Sequence, residues 1–184
     1  MPKIQVNGKT ISLTNKNFLA QGGEGAVYAK GKTAYKIYAD KSKMISADKI
    51  KELSSLTNAN IIKPENAIFA GKGGKAIGYT MRYVPKNVPL CRIFTKTFKD
   101  KNNITPEMSL DLILNMQETV SHIHSKKILV VDLNEMNFLS CPKFKSVYFI
   151  DVDSYQTPSY PATALMESVR DRHMKPGIFT QDTD

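Results

Sequence analysis

Asp132-Leu-Asn-Glu-Met-Asn137, and Asp151 fourteen residues beyond that amide, are the residues of this chain best suited to chemistry. One carboxylate sits five positions before an amide, and a second follows in Ile150-Asp151-Val152-Asp153. Phosphoryl transfer from a magnesium nucleotide needs such a set. One group accepts the proton of the attacking hydroxyl, and two oxygen ligands hold the metal. A single turn can aim Asp132 and Asn137 at one phosphate, and a hairpin after it can return Asp151 beside them. Taken alone, the segment also reads as a polar loop followed by a strand.

The N-terminal part of the chain decides between the two. Leu19-Ala-Gln-Gly22-Gly23-Glu-Gly25-Ala-Val27-Tyr28 runs through a Lys-Gly-Lys turn into Ala34-Tyr35-Lys36-Ile37-Tyr38. Glycines at 22, 23 and 25 let a backbone turn approach phosphates, because no Cβ blocks it. The flanks read as strands, so the order is strand, glycine turn, strand. A dinucleotide fold needs strand, turn, helix, and a P-loop needs a Gly-Lys-Ser/Thr ending; both are excluded. Lys36 would point inward beside Ala34, where an ammonium needs an anion to offset its burial.

These motifs, in this order, resemble those of the protein-kinase-like superfamily: glycine-rich loop, strand lysine, catalytic loop, metal-binding Asp. The wording of 19–28 and 150–156 is most similar to kinase-like proteins of bacteria and their phages, and the resemblance covers roughly residues 12–184. It implies an α+β, bilobal fold: a β-rich N-lobe (1–84), a hinge or linker (85–89) and an incomplete, mainly helical C-lobe (90–184). It implies ATP and magnesium as ligands. Gly22, Gly23 and Gly25 would cover the phosphates, and Lys36 would contact them. Leu19, Val27 and Ala34 would form the roof over the adenine and Leu139 its floor, with Met81 behind it and Tyr83 in the hinge. Asp132 would be the catalytic carboxylate, with Asn137 and Asp151 holding magnesium.

The departures from the family pattern also carry information. Ala20 replaces the first glycine, Val130-Val131 replaces the usual His-Arg, and Asn134 replaces the lysine two past the catalytic Asp. Asp151-Val152-Asp153 stands where the family has Asp-Phe-Gly. Without that Arg, a phosphate on the activation segment loses its usual receptor. Without that Lys, a positive charge near the transferred phosphoryl group is gone, and slow transfer is expected. The acid paired with Lys36 is left open between Glu52 and Asp48, which share one helix face, with Glu52 the longer.

A phosphotransferase of Ser/Thr type by ancestry is therefore expected. A catalytically silent nucleotide-binding regulator acting through a protein partner is the first alternative, and a basic nucleic-acid-binding module the second. The charge of +9 and pI of about 9.4 suit the last reading. The basic residues are dispersed in ones and twos, however, and in Lys86–Lys101 the phenylalanines Phe94 and Phe98 read as core. No apolar run approaches the ~20 residues that span a bilayer. Met1 to Val6 has no signal-peptide core, and Cys91 and Cys141 read as free thiols of a reducing, cytoplasmic setting. His122, His124 and His173 form no metal-ligand pattern.

Strands are expected at 3–6, 10–13, 67–70, 76–84, 128–131 and 147–150, with helices at 43–56 and 106–124. Thr105-Pro106-Glu107 is the start signal of the second helix, whose stripe reads Ile113, Met116, Val120, Ile123. A full kinase-like domain runs to about 250 residues. The chain is thus expected to be truncated or reduced at the point where the central helix of the larger lobe would begin. An uncovered face on helix 106–124 would follow, covered by self-association or by the segment after Asp153.

Dispersed lysines predict weak, salt-sensitive binding to nucleic acid. Dissociation constants for a short duplex or single strand should be weaker than about 1 μM at ~150 mM salt. A tighter value in a filter-binding or anisotropy titration would reverse the ranking of ligands.

Overall fold

The computed structural model describes residues 3–162, 165–167, 170, 172, 175 and 177–184; His173 lies outside the described residues. Two compact units are present. The first is Met1–Ser54 with Lys63–Val84, and the second is Ser55–Ile62 with Pro85–Asp184. The class is α+β, a β-rich unit and a mainly helical one, consistent with a bilobal kinase-like fold whose helical part is partial.

The first unit contains β1 (Lys3–Val6), β2 (Lys9–Ser12), β3 (Phe18–Gln21), β4 (Gly25–Lys30), β5 (Thr33–Tyr38), α1 (Ala47–Leu53), β6 (Asn66–Phe69) and β7 (Ala76–Arg82). The strands form one antiparallel sheet in the order β2-β1-β6-β7-β5-β4-β3. Asn7-Gly8 closes β1 on β2 with positive φ at both residues (48° and 74°), the backbone a two-residue hairpin of matching twist requires. Alternation along β5 then sorts side chains by face. Tyr35 packs with Ile4, Val6, Leu13, Ile68 and Ile77. Tyr38, on the other face, packs with Tyr79 and with Ile50 of α1, flanked by Met44, Ile45 and Met81.

Helix α1 is shorter than the 43–56 read from the sequence. Ser46 sets its start by accepting the Lys49 N–H at 3.0 Å, and a separate 3-10 turn, Lys41–Lys43, precedes it. Its inward residues are Lys49, Ile50 and Leu53.

The second unit contains β8 (Val88–Pro89), α2 (Leu90–Ile93), α3 (Lys96–Asn102), α4 (Pro106–Ser125), β9 (Phe138–Ser140) and β10 (Val147–Phe149). β8, β9 and β10 make a small antiparallel sheet in the order β10-β9-β8, so residues 88–89 are strand as well as connection. Thr105 caps α4 by accepting the Met108 N–H at 3.3 Å, with Pro106 in the first turn, as the start signal required. The buried stripe of α4 is Leu112, Thr119 and Ile123, rotated from the apolar stripe read in the sequence. Asn115 and Thr119 lie on that inward side because they bond to other polar groups. Asn115 Oδ1 accepts the Val147 N–H at 2.8 Å and the Asn60 amide at 3.2 Å. Leu110, Ile113 and Leu114 are exposed at 55, 59 and 52%. Phe94 is likewise exposed, at 64%, and not core; Phe98 packs edge-on against Phe144 at 6.0 Å. Segment 128–131 is not a strand: Leu129 makes only a two-way bridge with Gln156. Among the described residues no helix is long and apolar enough to cross a membrane.

Two glycines of the sheet are fixed by close backbone approach. A Cβ on Gly25 would lie 2.1 Å from the Ile37 carbonyl oxygen, and one on Gly78 would lie 2.0 Å from that of Lys36. Gly22 and Gly23 have nothing within 4 Å of that position. Gly25→Ala should therefore cost about 2–3 kcal/mol, as overpacking against backbone does, while Gly22→Ala should stay within ~0.5 kcal/mol. Urea midpoints of the two variants check this; equal midpoints would contradict the assignment.

Candidate active site

In the first unit, antiparallel register sets the lysine. β5 pairs with β4 and β7 so that Lys36 lies opposite Val27 and Tyr79, and Ala34 opposite Met81. Ala34 and Lys36 are buried, Val27, Met81 and Tyr83 are half-buried, and Leu19 is 45% exposed on the edge strand β3. The Tyr83 N–H bonds to the Lys32 carbonyl at 2.9 Å, extending the β5–β7 pairing by one step. The Lys36 ammonium lies 5.2 Å from the Tyr38 ring centre and 5.9 Å from that of Tyr79. It donates to Glu24 Oε2 at 2.9 Å.

Glu24 belongs to the glycine turn itself. Gly22 N–H closes the turn on the Gly25 carbonyl at 2.9 Å, and the Glu24 carbonyl accepts the Ala39 N–H at 2.9 Å. Glu52 and Asp48 are the partners the sequence suggests for Lys36; Glu24 is one it does not announce. Asp48 is exposed in the first turn of α1, and Glu52 is half-buried further along it.

In the second unit, Asp132 is buried and held from three sides. Asn134 donates to its Oδ2 at 2.6 Å, Asn137 to the same oxygen at 3.0 Å, and the Met166 N–H to Oδ1 at 2.8 Å. Asn137 Nδ2 also donates to the Asp132 carbonyl at 3.0 Å. Both acceptors fix the amide's orientation, which leaves Oδ1 of Asn137 as its ligand atom. The β9–β10 hairpin brings Asp151 to the same place. Phe138 pairs with Phe149, and one step further the Ile150 N–H bonds to the Asn137 carbonyl at 3.0 Å. Asp151 follows immediately, in the left-handed region (φ 60°, ψ 32°), and its carbonyl accepts the Ser154 N–H at 3.1 Å and hydroxyl at 2.8 Å. Leu139 is half-buried in β9, opposite Tyr148 and Pro89. Amide and carboxylate oxygens are the hard donors magnesium prefers, so Asn137 and Asp151 fit the metal the sequence implied.

Asp184 supports this loop from beneath. Its carboxylate is 1% exposed; it accepts the Val130 N–H at 2.8 Å and the Val131 N–H, and lies 2.8 Å from His124 Nε2. Val131 has φ 67°, a conformation that β-branched residues avoid. Tyr155 is buried near these groups. Burial first, then the charges of Asp184, Asp151 and Asp153, push its hydroxyl well above the usual tyrosine range, so it stays neutral.

No family model matches the chain. It is 27% identical over 149 residues to Protein kinase YegI of Escherichia coli O157:H7, covering 75% of this chain and 23% of that protein. The strain K12 protein of the same name gives 27% over 149 residues, with 22% of its length covered. Mitogen-activated protein kinase kinase kinase dlk-1 of Caenorhabditis briggsae is 28% identical over 130 residues, covering 70% of this chain and 14% of that protein. The chain thus spans less than a quarter of the length of these relatives, and the matches support a kinase-like relationship.

Removal of the Asp184 carboxylate would leave two buried N–H groups and His124 without their acceptor. Asp184→Ala should cost about 3 kcal/mol, since each unsatisfied buried donor costs ~1–3 kcal/mol. The exposed neighbour Asp182→Ala should stay within ~0.5 kcal/mol. Denaturant midpoints, with exchange rates of the Val130 and Val131 amides, check the difference.

Proposed function

We propose that this chain binds ATP with magnesium and transfers the terminal phosphoryl group slowly to a hydroxyl of a protein substrate. One observation carries the reading: Asp132 and Asn137 are joined by hydrogen bonds in one loop, and the hairpin returns Asp151 beside Asn137. Gly22, Gly23, Gly25 and Lys36 would take the phosphates. Leu19, Val27, Ala34, Met81, Tyr83 and Leu139 would take the base. Magnesium, when bound by Asn137 and Asp151, would neutralise charge on the phosphates. Asp132 would orient the hydroxyl and accept its proton. Relationship to protein kinases at 27–28% identity supports the same family-level activity.

A silent nucleotide-binding regulator is the second reading, favoured by two specific observations. The Asp132 oxygens are already engaged by three neutral donors, including the chain's own Met166 N–H. Asn134, an amide, stands where kinases carry a lysine.

Saturating Mg-ATP, at a hundred times its dissociation constant, should stabilise the protein by ~2.7 kcal/mol, which is about 5–10 °C in melting temperature for a chain of this size. Lys36→Met should remove the shift, and Asp151→Asn should weaken it. Asp132→Asn should leave ATP affinity within about threefold while abolishing transfer of labelled γ-phosphate. An unchanged melting temperature at millimolar Mg-ATP would refute the nucleotide reading. Binding with no transfer by the wild type would select the regulator.

A further inference from the structure

We infer that Glu24 is a built-in anion that occupies the phosphate position of Lys36 in the free protein and competes with the nucleotide for it; this rests on the nucleotide-binding reading above. The two partners of the 2.9 Å contact differ in freedom. Lys36 has a side chain 9% exposed, set on a central strand against the rings of Tyr38 and Tyr79. Glu24 has a side chain 44% exposed, on a turn whose neighbouring Gly22 and Gly23 face open space. Its backbone is anchored through its carbonyl to Ala39, so only its side chain needs to move. A phosphate arriving at Lys36 therefore meets a carboxylate of like charge, which must swing out. Binding exchanges one ion pair for another, and the observed affinity is the difference between them.

Two consequences are measurable. Glu24→Gln keeps the shape and removes the charge, so it should tighten anion binding by about two- to fivefold, the range for a half-exposed ion pair. The salt dependence should also steepen, because the wild type loses a screened contact as it gains one. The experiment titrates ATP and inorganic tripolyphosphate, without divalent ions, into wild type, Glu24→Gln and Lys36→Met at two ionic strengths, each shown to be folded by thermal melting. Tighter binding of both anions by Glu24→Gln, or binding seen only in that variant, supports the inference. Equal or weaker binding by Glu24→Gln, with Lys36→Met defective, overturns it and leaves the nucleotide reading intact. No binding of either anion by wild type or Glu24→Gln at millimolar concentration overturns the inference, and the melting shift with Mg-ATP then decides the nucleotide reading separately.

Discussion

The carboxylate of Asp184 is the contact on which the loop carrying Asp132 depends. It gathers two successive backbone N–H groups, Val130 and Val131, together with His124. A β-branched residue at φ 67° is strained by ~1–3 kcal/mol, and that conformation persists only where surrounding bonds over-determine it. Here the bonds come from a buried acid and from the Asp132 N–H, which reaches back to the Val130 carbonyl at 2.8 Å. The bend turns the chain so that Asp132 meets Asn134 and Asn137. From Asn137 the hairpin register fixes where Asp151 falls. One buried acid thus helps to set the positions of four residues far from it in sequence.

The β-rich unit reaches its geometry by a different route, through backbone approach. Gly25 and Gly78 stand where a methyl group would collide with the carbonyls of Ile37 and Lys36. Both flank β5, so the central strand is gripped closely on either side. That grip holds Lys36 at a fixed depth while the turn at 22–24 stays open. The glycines of the turn thus divide by role: Gly25 serves the sheet, and Gly22 and Gly23 keep the approach clear.

Local features of this arrangement were legible in the sequence. The five positions from Asp132 to Asn137 are within the reach of one turn, and a short hairpin returns the chain by a register that alternation dictates. Thr105-Pro106 marked the start of α4, and Asn7-Gly8 lies between two strands read within a residue of their ends. Features set by tertiary bonding were not legible. Thr119 took an inward position of α4 because Asn60 and Asn115 give it partners, and no apolar period announces that. Phe94 reads as core from its type alone, whereas the short α2 ends just before it and leaves it exposed. The Lys36–Glu24 pair leaves no mark in the sequence because its span of twelve residues closes only once the glycine turn has a shape.

The charges around Asp132 separate binding from chemistry. Its hydrogen-bond donors among the described residues, Asn134, Asn137 and the Met166 N–H, are neutral. They orient the carboxylate and offset its desolvation, but they supply no positive charge to a phosphoryl group in transit. Such a charge acts most where negative charge rearranges, which is the transition state rather than the bound nucleotide. Under the proposed reading, replacing the usual lysine by Asn134 therefore lowers the rate more than the affinity. The lysine and oxygen ligands that would hold Mg-ATP are all kept. On that reading a slow transferase and a nucleotide-dependent regulator lie on one continuum of charge at a single position.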